Sequence, residues 1–306
     1  MKKIAIRSII DFLSDDLLSV YGRYDDRYVD NLADADHVNE YSLDWVNSNK
    51  TNKQEIVVSS KAHCLLVDDD LVYSSELELQ NKVLLVVKNP RMKMAQIANR
   101  FFLDKQEPGI HSTAVIDPSA KVDPSAHIGA GCIIGKATIG AGTVLMPNVV
   151  VYDNVEIGEH CLIQAGAVIG TDGLGCSRDE QGRLTKFPHL GGVIIGDDVE
   201  IGANSQIAKG SFSDTVIENG CKMNGLCFIA HNCHLEENVW ITGNTMLCGS
   251  VHVGKNSTIF SSVIVRDQRT IGANVTVGMG SVVTKSIPSG ETWLGNPAHK
   301  LDRNNE

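Results

Sequence analysis

The 306-residue chain is poor in aromatic residues (5%), has no CxxC pair among its 8 cysteines, and carries no basic run longer than Lys2-Lys3. A chain short of Phe, Tyr and Trp fills its core with aliphatic side chains. Without CxxC pairs the thiols do not have the spacing of zinc ribbons or dithiol redox centres. The 37 Asp and Glu against 27 Lys and Arg, a net charge of -10, would repel a polyphosphate backbone, which excludes nucleic acid as a partner. No window approaches the roughly 18 consecutive apolar residues of a membrane span. Arg7 and Asp11 interrupt the apolar stretch that a secretory leader needs, so a cytoplasmic protein is expected.

What the chain has in abundance is a period of six. Ile217, Met223, Ile229, Leu235, Ile241, Leu247, Val253, Ile259, Val265, Ile271, Val277 and Val283 follow one another at that step without a break. The same step runs through Ile110, Ile116, Val122, Ile128 and Ile134, then from Ile139 to Ile169, and again through Ile195, Ile201 and Ile207. Hexads of this kind predict a mainly β fold, a parallel β-helix in which each hexad gives a short strand and a turn and the aliphatic residue points inward. Cys132, Cys161, Cys221, Cys227 and Cys233 all fall four residues after such a position, where a small inward side chain is wanted, so packing explains them better than metal or redox chemistry.

Residues 1–105 lack the period. Strand-like runs EIVVSS (55–60), CLLV (64–67) and KVLLVV (82–87) and a helix after Pro90, with Met92, Ile97 and Phe101 near one face, predict a small α/β domain. The β-helix is expected over 106–288 with an extruded loop at 170–194, followed by a tail at 289–306 of loops or a short helix. A β-helix has no cleft of its own, so ligands must use extruded loops or grooves between columns of an oligomer. The 170–194 insertion reads as a surface loop or a substrate lid. His231 and His234 lie two and five residues after Ile229, both in outward registers. His252, 18 residues after His234, would stack on it at roughly 4.8 Å. Stacked outward histidines open the alternative of a γ-carbonic-anhydrase-like zinc hydratase, but no third ligand is evident and no metal is expected. A non-catalytic β-helix scaffold is a further alternative.

The segments CLIQAGAVIGTDGLG (161–175), KFPHLGGVIIGDDVEIGAN (186–204), DTVI (214–217), IAHN (229–232) and LVVKNPRMKMAQIANRFF (85–102) resemble the UDP-3-O-acylglucosamine N-acyltransferase family of lipid A synthesis. The resemblance implies a left-handed β-helix homotrimer, preceded by a nucleotide-binding domain, that acylates the amine of a nucleotide-linked amino sugar. It assigns His231 as general base, a role that suits imidazole because it titrates near neutrality, and the Gly249 N–H, one coil on, as oxyanion donor. Phe187, His189 and Asn232 fall in its substrate-binding segments. SLDWVNSNK (42–50) occupies the place of its base-stacking aromatic, with Trp45 for the stack and Asn47 nearby as a base-edge donor, for uridine or thymidine (a UDP- or dTDP-linked sugar). The family's second histidine falls at Gln268, its DNQ triplet reads Asn224, Gly225 and Leu226, its substrate-loop Gln is His189, and its DRG is Ala208, Lys209 and Gly210. The closing VGMGSVVTKSIPSGETWLGNPAHKL (277–301) is similar to acyl-CoA-dependent sugar acetyltransferases. This points to a coenzyme A thioester co-substrate, with Asp267, Gln268, Lys285 and Lys300 at the acyl donor. The main expectation is therefore transfer of a short acyl group, acetyl or 3-hydroxyacyl, from acyl-CoA to the amine, for O-antigen or capsule building. The alternative is the lipid A enzyme itself, with an acyl-carrier-protein donor.

Overall fold

A computed structural model describes residues 2–33 and 36–301; the end of the expected tail, 302–306, lies outside the described residues. The chain divides into two compact units, one ending at Lys105 and the other beginning at Gln106.

In the first unit five strands form one sheet in the order Leu17–Tyr21, Val83–Val87, Cys64–Val67, Ser42–Trp45, Asn31–Leu32, antiparallel in the first pair and parallel thereafter. Cys64–Val67 and Val83–Val87 are buried along their whole length, as strands covered on both faces must be. Leu66, Leu85 and Val87 face Ile9 and Ile97 on one side; Leu65, Leu84 and Val86 face Val57 and Leu77 on the other. Two expectations change, and one helix appears where none was expected. Residues 55–60 are not a strand: Lys53–Ser59 is helical, placing Val57 in the core while Lys53 reaches Asp68 and Asp70, so tertiary packing overrides the β-branched propensity. The opening segment, unread as structure, forms the helix Ile6–Leu13 over a buried Ile6, Ile9 and Leu13. In the helix Pro90–Ile97 it is Met94, with Ile97 and Phe101, that joins the core, while Met92 is 53% exposed.

The second unit is a left-handed parallel β-helix. Three columns of short parallel strands stack coil on coil, running through Gly109–Ile110 to Thr292–Leu294, through Val115–Ile116 to Val282–Val283, and through Lys121–Val122 to Thr270–Ile271. Every hexad position from Ile217 to Val283 is buried, and together these residues form one continuous core. Ile110, on the end strand of its column, is exposed. All eight cysteines are free; Cys132, Cys161, Cys221, Cys227 and Cys233 are buried in the bore, and burial pushes the thiols of Cys221 and Cys233 up to about 11 and about 12. The turn three residues after an inward aliphatic takes a left-handed conformation, filled by Asn at 154, 204, 232, 238, 244, 256 and 274. The β-helix closes in a hairpin, Thr292–Leu294 against His299–Lys300, and no helix is found there among the described residues. No helix in the described residues is long and apolar enough to cross a membrane.

Candidate active site

The insertion leaves the coil after Val168–Thr171 as an extended excursion whose strands Cys176–Arg178 and Leu184–Lys186 pair antiparallel, and it rejoins at Val193–Ile195. It is tied down at its base. Asp172 binds Lys186 and, at 3.0 Å, Lys209 of the next coil; the two ammonium groups hold its carboxyl down at about 2. The N–H of Leu190 donates to Ser211 O at 2.6 Å, and Phe187 meets Phe212 edge to face at 5.2 Å. These contacts bring His189 against His231, with ring centroids 5.2 Å apart and planes at 69°.

His231 is half-buried and its tautomer is set by its neighbour. Asn232 Nδ2 donates to Ser213 O (3.0 Å) and Oγ (2.9 Å), so Oδ1 faces the other way, accepting the Ser211 N–H at 3.0 Å and lying 3.1 Å from His231 Nδ1. An amide oxygen only accepts, so Nδ1 carries the proton and Nε2 keeps its lone pair. The Nε2 edge stays open because residue 249 is glycine: a Cβ there would stand 2.6 Å from His231 Nε2 and Cε1. The Gly249 N–H donates to no other group among the described residues. The site thus combines a tautomerically fixed imidazole, an uncovered nitrogen and an unused backbone donor, the set that acyl transfer through a tetrahedral intermediate requires.

His189 is 4% exposed. Its Nδ1–H donates to Phe187 O at 3.1 Å, and its Nε2 is buried without a partner. Burial first, then the proximity of His231, lowers its pKa, so the ring favours its neutral form. Asp172, Lys186 and Gly173 join this neighbourhood although the period says nothing of them; in the sequence they stand in the segments 161–175 and 186–204 that carry the family resemblance, with no role assigned there.

The remaining residues lie elsewhere or are otherwise occupied. Trp45, at the end of Ser42–Trp45, is partly buried against the first unit's core, and Asn47 Oδ1 accepts the Asn49 N–H at 3.0 Å. Asp267, two coils above His231 in the same register, lies 3.6 Å from Arg266. Gln268 takes a left-handed turn, and its N–H donates to Gly249 O at 2.9 Å. Lys285 is exposed, while Lys300 Nζ binds Glu291 at 2.7 Å. His234 and His252 stack at 5.0 Å and 8°, but each Nε2 sits on a carboxylate, Glu218 at 2.7 Å and Glu236 at 2.9 Å. No group of three or more His, Cys, Asp or Glu among the described residues could hold a metal ion.

Comparison with known proteins adds identity to this geometry. The pattern "Bacterial transferase hexapeptide (six repeats)" matches residues 136–171, and "Hexapeptide repeat of succinyl-transferase" matches 192–222 and 250–285. The chain is 35% identical over 285 residues to a UDP-3-O-acylglucosamine N-acyltransferase of Herminiimonas arsenicoxydans, covering 86% of this chain and 79% of that one. It is 35% identical over 281 residues to the protein of the same name from Coxiella burnetii, with 85% and 80% covered. Among solved structures it is similar to the UDP-N-acetylglucosamine O-acyltransferase of Moraxella catarrhalis, at 30% identity, TM-score 0.58, 64% of this chain and 75% of that one. N-acyl and O-acyl names thus share this coil. The relatives correct the expected donor. They bear the name of the alternative reading, so the short-chain, CoA-dependent activity drawn from residues 277–301 gives way, and CoA leaves the set of co-substrates and partners. The placement agrees: Lys300 is committed to Glu291, and the carboxylate of Asp267 offers nothing to a CoA phosphate.

Proposed function

We infer that this chain, which belongs to the hexapeptide-repeat UDP-3-O-acylglucosamine N-acyltransferase family, moves an acyl group from an acyl-carrier-protein thioester to the amine of a UDP-linked amino sugar in lipid A synthesis. The observation that carries the mechanism is the Asn232–His231–Gly249 arrangement. The amine nitrogen attacks the thioester carbonyl as His231 Nε2 takes its proton; the C–N bond forms and the carbonyl oxygen becomes an oxyanion. The Gly249 N–H stabilises that oxygen. The C–S bond then breaks and the imidazolium returns its proton to the departing thiolate. Asn232 acts through His231, holding the tautomer throughout. Phe187 and His189 on the hairpin flank the sugar, and Trp45 and Asn47 are our assignments for the uracil ring.

Assembly as a homotrimer belongs to the same reading. The outward residues of the Val115–Ile116 to Val282–Val283 column are Val115, Ile133, Val150, Val168, Gln206, Phe228, Met246, Ile264 and Val282, apolar with one exception. An apolar row along one face supports burial against a second copy. The direct test incubates the protein with 3-hydroxyacyl carrier protein and UDP-3-O-acylglucosamine and weighs the product. An added acyl group resistant to mild alkali, hence an amide, is expected; an unmodified sugar or an alkali-labile ester contradicts the reading.

A further inference from the structure

We propose that His189 selects the nucleophile: its Nε2 accepts one N–H of the attacking amine while His231 Nε2 takes the other, so that the site favours a primary amine over a hydroxyl. The inference rests on the acyltransferase reading above and adds a residue-level cause for its N-selectivity, which the coil alone cannot supply since N- and O-acyl names share it.

Three observations carry it. First, the His189 Nε2 is a buried acceptor without a partner, in a side chain only 4% exposed. Leaving such a group unmatched is costly, so an unmatched lone pair beside the site calls for a donor from the ligand. Its other nitrogen is already spent on Phe187 O at 3.1 Å, which fixes Nε2 as the acceptor. Second, that nitrogen borders the base. The rings stand 5.2 Å apart, and a Cβ at Gly173 would lie 2.5 Å from His189 Nε2 and 3.0 Å from His231 Cδ2, so a side chain at 173 would collide with both imidazoles and only glycine lets them approach. Third, burial and the neighbouring His231 both disfavour a charge on His189, so with Nδ1–H donating to Phe187 O the neutral ring leaves Nε2 as an acceptor. A primary amine brings two N–H groups to two acceptors and still has a lone pair for the carbonyl. A hydroxyl brings one O–H, and its remaining lone pairs would face the His189 lone pair.

The test compares wild type, His189→Ala and His189→Gln with the acyl carrier thioester and a matched pair of acceptors, UDP-3-O-acylglucosamine and its 2-hydroxyl analogue, UDP-3-O-acylglucose. His189→Ala is expected to lower kcat/KM for the amine by roughly 10- to 100-fold, with the amine-over-hydroxyl preference falling in step. His189→Gln, whose carboxamide oxygen also accepts, is expected to restore most of the amine rate. A preference unchanged in His189→Ala, or a Gln variant as slow as the Ala variant, overturns the inference while leaving the acyltransferase reading intact. A wild type that acylates neither acceptor overturns both.

Discussion

Asn232 and Gly249 act on the same imidazole in different ways, one through a hydrogen bond and the other through the absence of a side chain. Gly249→Ala would place a methyl group 2.6 Å from His231 Nε2, so either the ring turns off its Asn232 partner or the nitrogen is covered. We expect kcat to fall by about 100-fold or more, with the thermal midpoint little changed; kcat within threefold of wild type would mean that the Nε2 edge is not where the reaction occurs. His231 and Gly249 were legible in the sequence because the IAHN resemblance marks the histidine, while the hexad phase adds only that it faces outward and the 18-residue coil that residue 249 stands one coil above it. The tautomer was not, since it depends on which end of the Asn232 carboxamide meets Ser213. Nor was the contact between His189 and His231, because the insertion leaves the hexad register and its return path is set by Asp172, Lys209 and Phe212.

At the scale of elements the hairpin is the part that acidification should loosen. The Asp172 carboxyl is held at about 2 by Lys186 and then Lys209, so its contribution is fully present above the ordinary aspartate value of about 4 and is lost as pH falls toward 2. His189 works in the same direction at higher pH. Its folded pKa is lowered, so stability is full above the unfolded value of about 6.5 and erodes below it, as the closed hairpin must keep the ring neutral. Hydrogen exchange of residues 172–190, corrected for intrinsic rates, is expected to speed up between pH 7.5 and 5, and Asp172→Asn should speed it at pH 7.5. Equal protection at both pH values would contradict this. The same scale shows where propensity misleads: the β-branched run at 55–60 is helical because Val57 fills a gap beside Leu65 and Val67, a tertiary demand that no local pattern records.

For the whole molecule the β-helix supplies rigidity and repetition, and both come from the period of six. Gly249 stands beside the His231 imidazole because parallel strands repeat in register at every coil, as the pairing of Phe228 with Met246 and Ile229 with Leu247 shows. The apolar outward column gives the unit a face to bury. If the proposed homotrimer buries this face, Met246→Glu with Ile264→Glu, both about two-fifths exposed, is expected to lower a trimer's sedimentation coefficient to a monomer's in sedimentation velocity; an unchanged coefficient would contradict burial of this face. The central claim, that amide formation runs through His231, is met most directly by steady-state turnover of UDP-3-O-acylglucosamine by wild type and His231→Ala, with the Kd of the sugar measured beside it. The account predicts kcat lower by about 100-fold or more in the variant with Kd within twofold; kcat unchanged at the same Kd would contradict it.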